Sequence, residues 1–291
     1  MNHLMKTSHF LPVPGSKRCL ALSLSFAILA GCLATGKEPP PAPVADKSDY
    51  SFSRPTPDSL LRELSPDRPD ATESPVTVDA GRVAIEVSVY DWRRDGDDEV
   101  STLLATNLKL GLDHRTDLQV VFDAFSWEDP ASGSGLEGFG DVQVRLKRNL
   151  WGNDGGDTAL ALFPYVKIPT GTSLSNDEWE GGLIVPFSAQ LSERVGLGLM
   201  AEIDYVYDED SRDHQFELLH SAVLGVDLTE RFGAFVEYIG ITGEGNPYRS
   251  FGAGGVTFSI NDHFVLDCGA QVGLNDAAED IGLFFGFTRR F

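Results

Sequence analysis

His220 and Ser221 stand side by side, a base next to a nucleophile, which are the residue types of hydrolytic chemistry. They lie in residues 215–228, where apolar and polar residues alternate as in a β-strand. Successive side chains of a strand point to opposite faces, so these two cannot meet. His214 and His263 have no obvious serine partner and are interpreted as surface or interfacial residues. No catalytic residue is therefore predicted.

Cysteine, histidine and glycine spacing also indicates no cofactor. The cysteines Cys19, Cys32 and Cys268 form no cluster with metal-ligand spacing, so no metal is predicted. The glycine-containing runs at residues 170–172 and 252–255 lack the lysine and the following helix of a phosphate-binding loop. Cys268 has apolar neighbours two residues away on either side and is interpreted as a small apolar residue.

Charge and hydropathy exclude two classes of protein. The formal net charge is −21 and the pI is about 4.5, which argues against nucleic-acid partners because phosphate binding needs clustered Lys and Arg. After the N-terminus no run of 18 apolar residues occurs, which excludes membrane-spanning helices. A membrane β-barrel remains open, because its strands interleave apolar and polar residues.

The N-terminus is typical of an exported protein. Lys17 and Arg18 precede the apolar stretch CLALSLSFAILA, which predicts a signal peptide over residues 1–31. The run Leu29–Cys32 resembles a lipobox, so acylation of Cys32 is expected; the alternative is ordinary cleavage nearby with Cys32 a bystander. Leu33 after the cysteine then implies outer-membrane sorting. Residues 32–64 are rich in proline and charge and are interpreted as a disordered periplasmic linker, with one short helical turn at residues 60–64.

The rest of the chain shows repeated two-residue alternation, most clearly in DVQVRLKRNL at residues 141–150. One face of such a strand is apolar and the other polar. Twelve segments of this kind occur, at residues 83–90, 100–112, 118–127, 139–151, 158–168, 180–191, 195–207, 214–228, 232–241, 249–260, 264–274 and 281–291.

The connections between these segments alternate in length. Short connections fall at residues 113–117, 152–157, 192–194, 229–231 and 261–263, and longer ones at 91–99, 128–138, 169–179, 208–213, 242–248 and 275–280. Short periplasmic turns, longer outer loops and an even strand count are typical of an outer-membrane barrel. A soluble β-sandwich has no reason to sort its connections in this way. We therefore predict an all-β, transmembrane, up-and-down antiparallel barrel of about twelve strands over residues 83–291.

The last strand ends in an aromatic residue. Phe285, Phe287 and Phe291 alternate along it and resemble the C-terminal insertion signal that the barrel-assembly machinery reads, which makes that machinery and outer-membrane lipid the expected partners. Arg289 departs from the pattern, where an apolar or aromatic residue is usual. The alternative is a buried edge strand of a soluble sheet.

Residues 65–92, SPDRPDATESPVTVDAGRVAIEVSVYDW, resemble the opening of a bacterial outer-membrane family named for a putative meta-pathway of phenol degradation. The matching pieces are SPDRP, TESP and an Ala-Gly pair that precedes a first strand with Glu86. GFGD at residues 138–141, PYVKIPTG at 164–171 and the final Phe-rich strand also fit. The resemblance implies an outer-membrane barrel linked to uptake of small, often aromatic, compounds.

On the predicted register the lumen carries more acids than bases. A polar, cation-favouring conduit is one interpretation; the other is that opposite charges pair across the lumen and close it, which a twelve-strand barrel permits. The expected lumen-facing residues are Glu86, Asp123, Asp141, Arg145, Lys147, Lys167, Glu202, Asp204, Glu217, Asp227, Glu237 and Asp267, with Lys109 as a further base.

Residues 65–82 directly precede the first strand and carry Asp67, Arg68, Asp70 and Glu73. One hypothesis is that this segment folds into the periplasmic opening of the barrel as a plug, with Arg68 paired to an inner-face carboxylate. The alternative is a solvated linker with turns enforced by proline.

Two functions are consistent with these sequence features, both in the cell outer membrane. The first is a passive channel for small hydrophobic or aromatic compounds. The second is a non-transporting barrel that anchors or helps to assemble periplasmic components, with residues 39–57 as the reaching arm.

Overall fold

The computed structural model describes residues 46–170, 172–209 and 211–291. The predicted signal peptide, Cys32 and the first part of the predicted linker lie outside the described residues. In the described part, no helix has the length and apolar character needed to cross a membrane.

Twelve long β-strands and one two-residue strand make up the main body. Their positions agree closely with the twelve predicted segments, and β6 coincides with its prediction. The strands are β1 (Val83–Asp95), β2 (Asp98–Asp113), β3 (Thr116–Asp129), β4 (Glu137–Gly138), β5 (Val142–Trp151), β6 (Thr158–Ile168), β7 (Glu180–Ser192), β8 (Val195–Asp208), β9 (Asp213–Asp227), β10 (Phe232–Gly243), β11 (Asn246–Asn261), β12 (Phe264–Gly273) and β13 (Ile281–Arg290).

The strands form a closed antiparallel barrel, which confirms the predicted fold. Each long strand pairs with the next long strand along the chain, and β4 adds a short pairing to the C-terminal end of β3. The first and last strands close the ring through pairs such as Ala84 with Arg290 and Val87 with Phe287. Closure satisfies the backbone donors and acceptors between strands, which a lipid environment requires.

Alternation along each strand separates a polar interior from an apolar exterior. On β5, Arg145 and Lys147 are buried, whereas Leu146 between them is 41% exposed. Leu183, Leu199, Ile203 and many other apolar side chains are likewise exposed on the outer surface. Exposed apolar side chains around a barrel with a buried polar interior indicate lipid outside.

The connections only partly follow the predicted lengths. We call the end where the chain enters β1 and leaves β13 the base, and the opposite end the mouth. Two mouth connections predicted to be long are two-residue turns, at Gly96–Asp97 and Glu244–Gly245. These predictions were wrong because the charged and polar residues beside the turns continue the strands, while Gly96 and Gly245 adopt positive φ as tight turns require. The connections over residues 130–141, 169–179 and 274–280 are long, as predicted.

Residues 46–64 pack against the base, which differs from the disordered periplasmic linker expected from the sequence. Ser51 forms a β-bridge with Asp113, and the Thr56 amide donates to the Ala80 carbonyl at 2.9 Å. A single 3₁₀ turn lies at Asp58–Leu60, slightly before the predicted position. The proline-rich composition of residues 46–64 predicted that they would not be buried. Their backbone nevertheless finds hydrogen-bond partners at the strand ends and turns of the base.

Candidate functional site

Residues 65–80 enter the barrel and lie across its lumen; we call them the plug. The segment has no regular secondary structure, and most of its side chains are buried. Asp67, Arg68 and Glu73 are almost completely buried and Asp70 is partly buried. All four residues named from the sequence as plug candidates therefore lie inside the barrel.

Asp67 is the main electrostatic contact of the plug. Its carboxylate accepts hydrogen bonds from Lys147 at 2.8 and 3.0 Å, from the Ser74 amide at 2.9 Å, and from Lys109. Burial alone would raise the pKa of Asp67, but the charges of Lys109 and Lys147 outweigh it and hold the pKa well below its usual range. Asp67 is therefore a fixed negative charge between two buried lysines from β2 and β5.

Arg68 pairs with Asp267 on β12, as the sequence hypothesis of an inner-face carboxylate partner proposed. Its guanidinium donates at 2.6 and 3.2 Å to the two carboxylate oxygens, and both side chains are only 2% exposed. Gly286 on β13 leaves the room that this guanidinium occupies, because a Cβ at this position would overlap an Arg68 nitrogen.

Glu237 on β10 binds the backbone of the plug. Its carboxylate accepts from the Ala71 and Thr72 amides at 2.9 and 2.8 Å and from the Thr72 hydroxyl at 2.6 Å. The Thr72 hydroxyl also lies 2.7 Å from that of Ser221. The sequence placed Glu237 in the lumen but gave no indication of Thr72, because Thr72 is uncharged and lies in a segment without strand alternation.

Glu73 meets Arg145 on β5 at 2.7 Å. One of its oxygens, Oε2, is buried without a hydrogen-bond partner among the described residues. Burial and the negative charge of Asp67 outweigh the attraction of Arg145 and raise the pKa of Glu73 to about 7. A proton on Glu73 therefore favours the docked plug.

The base end of the plug is held by residues that the sequence did not single out. Arg62 donates to Asp154 in the β5–β6 turn at 2.8 Å, and its amide donates to Asp79 at 2.9 Å. Arg290 donates to the Arg62 carbonyl at 2.7 Å. Partners so distant in sequence leave no local signal.

The remaining sequence candidates lie on the inward faces of their strands, except for Asp141, which lies in the connection just before β5. Glu86 meets Lys109 at 2.5 Å and accepts from the Asp67 amide at 3.0 Å. Asp227 departs from the expectation: it keeps the inward register but is exposed, because it ends β9 at the base. The others are buried or half-buried: Asp123, Asp141, Lys167, Glu202, Asp204 and Glu217.

His220 and Ser221 lie on opposite faces of β9, as strand alternation predicted. Ser221 faces the plug, while His220 faces outward, 3.2 Å from the Tyr248 hydroxyl. Phe285, Phe287 and Phe291 also lie outward or at the end of the last strand. Cys268 is exposed on the outer face. Within the described ranges, no group of three or more His, Cys, Asp or Glu side chains could hold a metal ion.

Part of the interior is apolar, which the sequence did not predict. We call this buried cluster the apolar wall; it lies on β6–β11 except for Ala278 in the β12–β13 connection. Ala71 of the plug and Ala253 pack against it. A polar lumen was expected, but inward positions on these strands hold aliphatic and aromatic residues instead. The wall consists of Ala161, Phe163, Tyr165, Ile184, Met200, Leu219, Ile239, Ile241, Phe251 and Ala278.

A cavity of about 240 Å³ lies at the mouth; we call it the vestibule. Tyr165, Leu219 and Ile241 belong both to its lining and to the apolar wall. Apolar surface therefore continues from the vestibule along one side of the lumen to the plug. The Tyr165 hydroxyl donates to Asp204 at 2.5 Å, so its ring is held in place at this junction.

Substituting Arg68 by alanine is expected to weaken plug docking and raise single-channel conductance in planar bilayers. The substitution leaves Asp267 buried without its partner, which costs about 3–5 kcal/mol in comparable pairs. Arg68→Ala combined with Asp267→Ala should restore part of the low conductance, because no unpaired charge remains. Unchanged conductance in the single variant would count against the plug.

The closed barrel, its apolar exterior and its plugged lumen define an outer-membrane β-barrel, and the protein resides in the outer membrane. The family model described as "Putative MetA-pathway of phenol degradation" matches residues 66–291. The chain belongs to this family. The match begins at residue 66 and so covers all but the first residue of the plug.

Solved structures agree on the fold. The structure of an outer-membrane channel from Pseudomonas putida F1 is 12% identical, covers 79% of this chain and 100% of its own, and gives a TM-score of 0.56. The NanC porin is 9% identical, covers 71% of this chain and 98% of its own, and gives a TM-score of 0.50. A search of curated protein sequences found no significant match.

Proposed function

We propose that this barrel is an uptake channel for small apolar compounds, aromatic ones included. The observation that carries the proposal is the apolar wall, which links the vestibule to the plug. Channels for hydrophilic solutes keep a polar, water-filled interior. A buried apolar surface inside the lumen instead offers a desolvated path for an apolar solute. The family description, with its reference to phenol degradation, supports the same class of compound.

In this proposal the plug is the barrier to solutes. Its contacts reach strands on several sides of the barrel, including β2, β5, β10 and β12. Most of these contacts involve charged groups, whereas Ala71 contacts the apolar wall. A solute that moves along the wall therefore meets the apolar side chain of Ala71, and to pass it must displace the plug backbone from the Glu237 carboxylate.

We expect toluene uptake to depend on the apolar wall. Radiolabelled toluene would be measured in a Gram-negative host that lacks its general porins, with and without this protein. Ile241→Trp should slow uptake severalfold, because the added ring narrows the junction between wall and vestibule. Ile260→Trp serves as the matched control, since Ile260 is exposed on the outer surface and the lumen is unaffected.

The extent of plug contacts favours a second candidate, a closed barrel that anchors or assembles periplasmic components. Absence of toluene uptake in a barrel shown to be folded by its heat-modifiable gel mobility would reject the channel and favour the anchor. Uptake that is equal in wild type and Ile241→Trp would reject the path along the apolar wall.

A further inference from the structure

We propose that the vestibule selects solutes by charge, admitting an aromatic ring that carries a positive charge or none and rejecting aromatic carboxylates. This inference rests on the proposed uptake function and specifies its class of solute. It is carried by two features of the same cavity, the excess of acidic groups around it and the apolar surface beneath them.

Acidic groups dominate the lining of the vestibule. Among the described residues, ten carboxylate residues line it, against three basic residues, Arg93, Arg94 and Lys167. The carboxylates come from strands and loops on all sides of the mouth, so the excess belongs to the cavity as a whole. They are Asp95, Asp98, Glu128, Asp141, Glu180, Asp204, Asp208, Glu209, Glu217 and Glu279.

Two of the three bases are already occupied by acids. Lys167 lies 3.0 Å from Asp141 and 3.1 Å from Glu180. Arg93 lies 3.1 Å from Asp91, which is outside the cavity lining. The potential in the vestibule is therefore negative, and a cleft lined by one sign of charge concentrates ions of the opposite sign. Rings of Asp and Glu give cation selectivity in channels by the same effect.

The lower part of the vestibule is apolar. The ring of Tyr165 and the side chains of Leu219 and Ile241 are shared with the apolar wall. A solute ring packs on this surface while its substituent reaches the acidic groups above. The cavity of about 240 Å³ is slightly smaller than the roughly 300–1,000 Å³ of sites for drug-sized ligands, which suits a single small ring.

Three compounds of nearly equal size test the proposal: benzylammonium, benzyl alcohol and benzoate. Their binding to the full-length protein in nanodiscs would be measured at pH 7 by saturation-transfer NMR, with empty nanodiscs as the blank. We expect benzylammonium to bind at least about tenfold more tightly than benzoate, with benzyl alcohol between them. Raising the salt concentration should reduce the ratio, because exposed charges are screened.

Charge-neutralising variants locate the effect. Glu128→Gln, Asp208→Asn and Glu209→Gln together should reduce the benzylammonium-to-benzoate ratio severalfold. The matched control, Asp157→Asn with Glu193→Gln and Glu230→Gln, removes the same charge from the base and should keep the wild-type ratio.

Three results would overturn the charge selection: equal binding of benzylammonium and benzoate, an unchanged ratio in the vestibule variant, or an equal loss in the base variant. The uptake function is tested separately by toluene. Binding ordered by charge without toluene uptake would reject the channel and keep the charge preference. Toluene uptake with no charge order in binding would reject only the charge preference.

Discussion

Replacing Asp67 by asparagine is expected to release the plug and to open the lumen to ions. The substitution removes the carboxylate that lies between Lys109 and Lys147, both almost fully buried. Lys109 keeps Glu86 at 2.5 Å, but no second ion pair to Lys147 is found among the described residues. Breaking one partner of a buried ion pair costs about 3–5 kcal/mol. Since 1.4 kcal/mol corresponds to a tenfold change in an equilibrium constant, the undocked population should rise roughly 100- to 4,000-fold.

Single-channel recording in planar bilayers measures this prediction. Wild-type protein should spend most of its time at low conductance, and Asp67→Asn should show long openings to a larger level. The matched control is Asp58→Asn, because Asp58 lies in the same N-terminal segment but its side chain is 85% exposed and pairs only with Arg82 in the described structure. Low conductance in folded Asp67→Asn barrels would contradict the assignment of this residue as the main contact of the plug.

Raising the pH is expected to weaken plug docking, with Glu73 as the principal sensor. The pKa of Glu73 is raised from its ordinary value near 4.5 to about 7 when the plug is docked, chiefly because the group is buried. The docked state therefore binds the proton more tightly than the undocked state. Docking is strongest below about pH 4.5, weakens as the pH rises from there to about 7, and levels off above that.

The size of this effect follows from the two pKa values of Glu73. A rise in pKa from 4.5 to about 7 corresponds to about 3 kcal/mol between acidic and neutral conditions. Asp70 acts in the same direction, since burial and the nearby charge of Glu237 raise its pKa well above the ordinary value. Because docking raises the pKa of both plug residues, protonation of either one favours the docked state at low pH.

Conductance measured from pH 4 to 9 tests this prediction. The open fraction of wild type should increase up to about pH 7 and then remain constant. Glu73→Gln mimics the protonated acid and should flatten most of the profile, and Glu73→Gln with Asp70→Asn should flatten all of it. A wild-type open fraction that does not change with pH would refute the sensor, as would a full pH response in the double variant.

The barrel was predictable because strand alternation is a local property. Inward charged residues such as Arg145 and Asp204 have outward apolar or aromatic neighbours in the adjacent sequence positions, so a short window reveals both faces. Turn positions were less predictable. Asp98 and Asn246 look like loop residues, but each begins a strand because cross-strand pairing outweighs local polarity.

The site was predictable only where it is charged. The pairing of Arg68 with an inner carboxylate could be expected because a buried guanidinium needs an acid, yet several inward acids were equally available until the structure placed Asp267 opposite it. Thr72, Arg62 and Arg290 could not be anticipated, because their roles depend on backbone groups brought together from distant parts of the chain.

The sequence by itself determined the closed barrel, its two faces and its family, because alternation, an even number of strands and the opening motif are all encoded within short segments. Only the tertiary structure decided that residues 65–80 fill the lumen and that an apolar wall runs beside them. Both features depend on which inward side chains face one another across the ring, and that is set by strand register and closure, to which no local pattern corresponds.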